Sequence, residues 1–268
     1  TQIGFDHMEY LGNTLAAIAG EKAGIFKPGT TAVVGETRPE IRDLLLQQAR
    51  RVGATPVLAT GNDWRTSDVE VEASGTTFTL TVDGASRRLS TPLVGAFQAE
   101  NAAVALAMLR GAGGRWQELE TRAGELLPGV RLAGRFHRSG KWLFDVAHNA
   151  DGAATVAANL VKVGAPRPIV GLVSVLRDKD WRGILRSLSS VCDTLLLTTA
   201  PTAPASRVWA LDEVGSWATE QGIAHAIRPD FDAALVDAES SGATIVVTGS
   251  FHTVGDAMER LQVDPLAR

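Results

Sequence analysis

The stretch "DHMEYLGNTLAAIAGEKAGIFKPG" at residues 6–29 gathers Asp6, His7, Glu9, Glu21 and Lys22 within seventeen residues. His7 follows a short β-rich run and precedes a helix that Thr14 can cap, a position from which a neutral imidazole could face a metal. Lys22 sits at the far end of that helix, where a solvated lysine also suits the helix C-terminus. In "QAENAAVAL", Gln98 and Asn101 lie three residues apart on an otherwise apolar helix and so share a face. An asparagine there can brace the fold, or its paired donor and acceptor can read an adenine edge. A third group, Arg135, Asp145, His148 and Asn149, flanks one short apolar run in "RFHRSGKWLFDVAHN".

Several chemistries are unsupported. A phosphate-cradling loop needs a Lys followed by Ser or Thr after its glycines. The nearest approach, "GRFHRSGKW" (134–142), has one residue too many between its glycines and puts Trp142 where the hydroxyl belongs. There is no G-x-S-x-G elbow and no H-E-x-x-H sequence. The single cysteine, Cys192, can form neither an internal disulfide nor a cysteine zinc cage, and beside "DTLLLTT" it reads as a buried structural thiol. The five histidines are too dispersed to define a site by spacing.

The elements that must carry these residues follow from periodicity. "TAVVG" and "TPVLA" flank the amphipathic "PEIRDLLLQQARRVG", a βαβ unit that favours a parallel pair. Residues 68–91 alternate polar and apolar residues around Ser-Gly and Asp-Gly, which predicts an antiparallel hairpin or meander. An alanine-rich helix and a second helical stretch, "RWQELETRAGELL", come next. The Gly- and Arg-rich segment 128–140 is the best boundary. Beyond it, five apolar runs alternate with helical segments, predicting an open, mostly parallel α/β sheet. In such sheets ligands gather at the carboxyl ends of strands, here residues 145–149, 178–180 and 249–252. The expected division is 1–130 and 131–268, and inter-domain clefts are common ligand sites.

At 268 residues with 45% apolar and 21% charged residues, the composition is that of a soluble globular protein of one to two domains. A net charge of −4 gives no electrostatic reason to expect nucleic acid or an anionic membrane. No apolar run reaches the ~18 to 20 residues of a membrane span, and no signal segment opens the chain, so the expected location is cytoplasmic. The first residue is Thr1, and "TQIG" reads as the end of a strand entering a turn, the expectation for a fragment or processed product.

Taken in order and spacing, "TQIGFDHMEYLGNTLAAIAGEKAGIFKPG", "GAFQAENAAVAL", "AGRFH", "FDVAHNADG", "LRDKD" and "VVTGSFHTVGDA" resemble folylpolyglutamate synthase and its bifunctional form with dihydrofolate synthase, the folate branch of the Mur ligase superfamily. The resemblance runs over essentially the whole chain. It implies an ATP-dependent ligase joining the amine of L-glutamate to a folate carboxylate through an acyl phosphate, acting as a monomer on small molecules. By matching motifs, His7 and Lys22 would serve magnesium, with Lys22 carried as a carbamate. Asn101, Arg135 and Asp145 would contact ATP, and His148 and Ser250 the glutamate side, with Lys22 and His148 in catalytic roles. The implied fold is the second part of a central Mur-ligase-type ATPase domain, its phosphate loop lying upstream of the point matching Thr1, followed by a Rossmann-like C-terminal domain. A cell-wall Mur ligase, or a nucleotide-binding remnant without catalysis, is the alternative.

Overall fold

A computed structural model describes residues 2–4, 12–59, 61 and 64–266, which form two compact units, Thr1–Val130 and Arg131–Arg268. In the first unit, helix α1 (Leu15–Lys22) begins where the Thr14 hydroxyl accepts the Ala17 N–H at 3.2 Å, so the cap anticipated at Thr14 forms. Strand β1 (Thr31–Val34), helix α2 (Pro39–Arg51) and strand β2 (Thr55–Leu58) make the expected βαβ unit, with β1 and β2 parallel and Val34 opposite Leu58. Pro39 opens α2 at a position where its missing N–H costs no helical hydrogen bond.

The alternating segment folds as an antiparallel meander of β3 (Trp64–Glu72), β4 (Gly75–Val82) and β5 (Ala85–Thr91). Asp83 and Gly84 both take positive φ, 49° and 83°, at the two-residue turn between β4 and β5. That backbone twist matches the flanking strands, which is why Asp-Gly is favoured there. Helix α3 (Phe97–Ala112) lays Ala99, Ala103 and Ala107 against Phe78 and Leu80 of the meander; alanine keeps the helix close to the sheet. The stretch expected as one further helix is two, α4 (Arg115–Thr121) and α5 (Ala123–Leu126). The break falls at Arg122, whose N–H bonds back to the Glu118 carbonyl while its guanidinium holds Glu125 at 2.7 and 2.9 Å.

The second unit is an open α/β sheet. In chain order it comprises β6 (His137–Ser139), β7 (Trp142–Phe144), α6 (Ala150–Lys162), β8 (Ile169–Val173), α7 (Trp181–Ser189), β9 (Thr194–Leu197), α8 (Leu211–Glu220), β10 (His225–Ile227), α9 (Phe231–Ser241), β11 (Thr244–Thr248) and α10 (Phe251–Arg260). The spatial order is β10-β9-β8-β11-β7-β6. The five anticipated strands are all parallel, and the sixth, β6, is an antiparallel edge strand that pairs with β7 across a turn at Gly140. β8 and β11 are buried at every residue, as strands covered by helices on both faces must be. Phe144, Leu172, Ile245 and Val247 form the centre of that core with no exposed surface. Cys192 is buried, and burial pushes its thiol up to about 12, which makes it inert.

The chain leaves β7, skips one position to build β8, β9 and β10 outward, then returns to insert β11 between β7 and β8. That reversal brings the carboxyl ends of β7, β11 and β8 side by side, the place where a sheet of this type opens a crevice. Among the described residues no helix is long and apolar enough to cross a membrane.

Candidate functional site

Residues 145–149 leave β7 and residues 249–252 leave β11, and backbone hydrogen bonds join the two segments. The Asp145 N–H reaches the Val247 carbonyl at 3.0 Å, and the Gly249 N–H reaches the Ala147 carbonyl at 3.0 Å. Gly249 takes φ +108°, and a Cβ there would stand 2.5 Å from the Ser174 carbonyl oxygen at the end of β8. Only glycine lets the three strand ends approach this closely.

Two helices start from this platform. Asn149 caps α6 by accepting the Gly152 N–H at 2.8 Å, and Ser250 caps α10 by accepting the Thr253 N–H at 3.0 Å. Both helices therefore present N-terminal N–H groups, the favourable end for an anion, at the carboxyl ends of neighbouring strands. The buried Ser250 hydroxyl also lies 2.7 Å from Thr253 Oγ1, which donates to the Ser174 carbonyl at 2.7 Å, so the ends of β11 and β8 share one hydroxyl network.

Asp145 holds the entry of the unit together. One carboxylate oxygen accepts the Ala147 N–H and the other the Phe136 N–H, both at 2.9 Å. Phe136 is buried with φ 48°, a left-handed conformation that costs a side-chain-bearing residue about 1 kcal/mol or more and persists because its neighbours fix it. Burial pushes the Asp145 carboxyl up from its ordinary value, while the two backbone N–H groups and the charges of Arg135 and His148 pull the other way. Each carboxylate oxygen retains acceptor capacity for a further donor.

His148 Nδ1 lies 3.0 Å from the Val146 carbonyl. A carbonyl can only accept, so Nδ1 carries the proton in that bond. The imidazole rests 5.8 Å, centroid to centroid, from the ring of Phe251. Asp145, His148 and Ser250 are thus brought together, with the exposed Arg135 close enough to Asp145 to act on its charge.

The remaining expected residues lie in the first unit. Asn101 is exposed on α3 and donates to Gln98 Oε1 at 3.2 Å, so the shared face is real. Lys22 is exposed in the last turn of α1, and His7 lies outside the described residues. Among the described residues no group of three His, Cys, Asp or Glu side chains could hold a metal ion, so these residues alone do not assemble a metal centre. In the 178–180 segment Asp178 accepts two hydrogen bonds from the Arg207 guanidinium at 2.8 and 2.7 Å, and Asp180 caps α7. Sequence reasoning passed over Phe136, Thr253 and Phe251. The first and last adjoin residues it singled out, and Thr253 falls at the third helical position after a serine cap.

The sequence also matches family models. The Mur ligase middle domain covers residues 1–109 and the Mur ligase, glutamate ligase domain covers residues 134–251. This chain belongs to the Mur ligase family. It is 33% identical to a Mycobacterium tuberculosis dihydrofolate synthase/folylpolyglutamate synthase over 99% of its own length and 60% of that protein. The solved Mycobacterium tuberculosis folylpolyglutamate synthase complexed with ADP superposes with a TM-score of 0.84 at 30% identity, covering 98% of this chain and 63% of the other. A Yersinia pestis bifunctional folylpolyglutamate synthase/dihydrofolate synthase complexed with AMPPNP and manganese gives 0.78 at 29% identity, covering 98% and 60%. This Mur ligase chain therefore spans about three fifths of the length of these relatives.

Proposed function

We propose that residues 1–130 are the second part of a Mur-ligase ATPase domain and residues 131–268 the glutamate-ligase domain of a cytoplasmic, monomeric folylpolyglutamate synthase, with or without dihydrofolate synthase activity. The observation that carries this reading is the convergence of Asp145, His148 and two capped helix N-termini on the carboxyl ends of β7 and β11. The kinship to folate ligases, some solved with nucleotide and manganese, supports it.

In this reading the γ-phosphoryl group of ATP passes to a folate carboxylate oxygen and ADP leaves. The amine of L-glutamate then attacks the carbonyl carbon of the acyl phosphate, and phosphate departs. Asn101 and Arg135 hold the nucleotide, with Asp145 accepting from it through its remaining lone pairs. The helix N-termini at Asn149 and Ser250 receive the carboxylates of the incoming amino acid. The attacking nitrogen must shed a proton, and His148, whose Nδ1 bonds to the Val146 carbonyl at this strand end, is the base assigned to accept it. His7 and Lys22, the latter as a carbamate, would hold magnesium, which would supply positive charge against the phosphates. Lys22 is exposed, as reaction with carbon dioxide requires.

The test is ATP consumption by the product of the native reading frame. ADP release that requires tetrahydrofolate and L-glutamate together supports the reading. Release with muramyl substrates instead would move the protein to the cell-wall branch, and micromolar MgATP binding by this chain without any ligation would favour a nucleotide-binding remnant.

A further inference from the structure

We propose that Gln98 is a positioning residue that fixes which way the Asn101 amide is turned, and so sets the preference for a base with an amino group at position six over one with a carbonyl there. The inference rests on the reading above, in which Asn101 holds the nucleotide, and names what selects the base. Gln98 is only 6% exposed, on the side of α3 that also buries Ala99, Ala102 and Ala103. A glutamine buried on a helix of alanines costs free energy unless its amide is used. Here Oε1 accepts from Nδ2 of the exposed Asn101 at 3.2 Å, three residues on.

An asparagine amide fits its own outline after a half-turn, which exchanges oxygen for nitrogen. The bond to Gln98 forbids that exchange, because the flipped amide would set Oδ1 against Oε1, two acceptors with no proton between them. Adenine offers an amino donor beside a ring-nitrogen acceptor, and an amide held this way answers with Oδ1 and an Nδ2 hydrogen. Hypoxanthine carries a carbonyl in place of the amino group and meets Oδ1 with a second acceptor. Gln98 is itself held from below. Thr76 of β4, 1% exposed, donates to the Leu93 carbonyl at 2.8 Å and accepts the Gly95 N–H at 3.0 Å, and the Gly95 carbonyl accepts the Gln98 N–H at 2.9 Å. Phe97, 39% exposed and one turn before Asn101, adds a flat apolar surface on that face of α3. Gln98 acts on the base only through Asn101.

Calorimetric binding of ATP and of inosine triphosphate to the product of the native reading frame, with magnesium and without folate, reads the preference as a ratio of dissociation constants and needs no turnover. Gln98→Met fills the buried space without an acceptor, so the Asn101 amide can turn over and the preference for ATP is expected to fall roughly five- to tenfold. Gln98→Glu can only accept there and is expected to keep the ratio within roughly twofold. General damage to α3 weakens both nucleotides together and leaves the ratio in place. Nitrogen-15 spectra of this chain give a readout apart from binding: the Asn101 side-chain amide signals are expected to move in Gln98→Met. Unmoved signals, or a ratio that falls as far in Gln98→Glu as in Gln98→Met, overturn the proposal. Asn101→Ala separates the two claims. A ratio that falls in Asn101→Ala but not in Gln98→Met removes the positioning role and leaves Asn101 on the base. A ratio that moves in neither takes Asn101 off the base, and the inference falls with it.

Discussion

Glu36 and Asp145 occupy the same address in the two units, just past the carboxyl end of a parallel strand, yet their surroundings push them in opposite directions. Glu36 is fully buried and accepts from the Ile3 N–H at 2.8 Å, the Arg38 N–H at 2.9 Å, and Arg38 Nε and Nη2 at 2.9 and 2.8 Å. Burial alone would raise its carboxyl, but the hydrogen bonds from Arg38 and Ile3 and the Arg38 charge outweigh it, and the group falls to about 2. Arg38 also donates to the Ile3 carbonyl, so this pair grips both backbone groups of Ile3, as a neighbouring strand would. Asp145 is half-buried and also accepts two backbone N–H groups, but there burial prevails and the carboxyl rises. A forked guanidinium bond turns a strand-end carboxylate into an anchor; backbone N–H groups alone leave it poised for a further partner.

The sharpest break in this comparison is Glu36→Gln. The shift from 4.5 to about 2 corresponds to roughly 3 kcal/mol of stability. Because the folded-state value is depressed, that stability is present above the unfolded value near 4.5 and is lost as pH falls toward 2. Denaturant titrations followed by circular dichroism should therefore show the unmodified chain losing stability across that window. Glu36→Gln should lack most of the window and be weaker at neutral pH by about 2–4 kcal/mol. A variant that keeps the acid-sensitive arm would show that Glu36 is not its source.

Asp145→Asn comes next in size. The amide has one acceptor oxygen where the carboxylate has two, so either the Phe136 or the Ala147 N–H loses its partner, at about 1–2 kcal/mol. Hydrogen exchange would locate the loss: faster exchange at Phe136 or Ala147, with Gly249 unaffected, is the expected pattern. Arg38→Lys should cost less, about 1 kcal/mol, because an ammonium keeps the charge near Glu36 but cannot reproduce the parallel fork. If the lysine variant matched Glu36→Gln in the same denaturant titration, the fork rather than the charge would account for the whole anchor.

The contrast between the two carboxylates also marks what the sequence made legible. Continuous apolar runs announced β8 and β11, and Thr14 announced the start of α1, because each signal is written within a few neighbouring residues. The strand ends of the second unit were legible as strand ends, and the structure places His148 and Ser250 beside them. β6 was not, since "HRS" has no apolar pattern and becomes a strand only by pairing with β7. The left-handed turn at Phe136 leaves no mark on a phenylalanine. Glu36 was invisible as an anchor because its partner Ile3 lies 33 positions away and the bond runs to backbone, which has no residue type to read. The alternation at 68–91 called for an antiparallel hairpin or meander, and a meander formed, though the register shift between Ser67 and Glu70 is a property of pairing rather than of either strand.

The smallest expected effect reads the comparison from the other side. Asp145 is raised in the folded chain, so its ionisation opposes folding above that raised value, and the opposition fades as pH falls toward the ordinary 3.8. Its contribution to stability therefore grows on acidification, the reverse of Glu36. In an Asp145→Asn background this term is gone, so the stability gap between the unmodified chain and the variant should widen as pH drops from neutral toward 4, and widen no further below 3.8. The measurement is best made in Glu36→Gln chains, where the larger acid-sensitive term has been removed and the small one is not hidden beneath it. A gap that narrows with acid would mean that Asp145 is stabilised as a carboxylate, like Glu36. Arg135 would then hold it by direct pairing, and the site would contain two anchors rather than one anchor and one poised group.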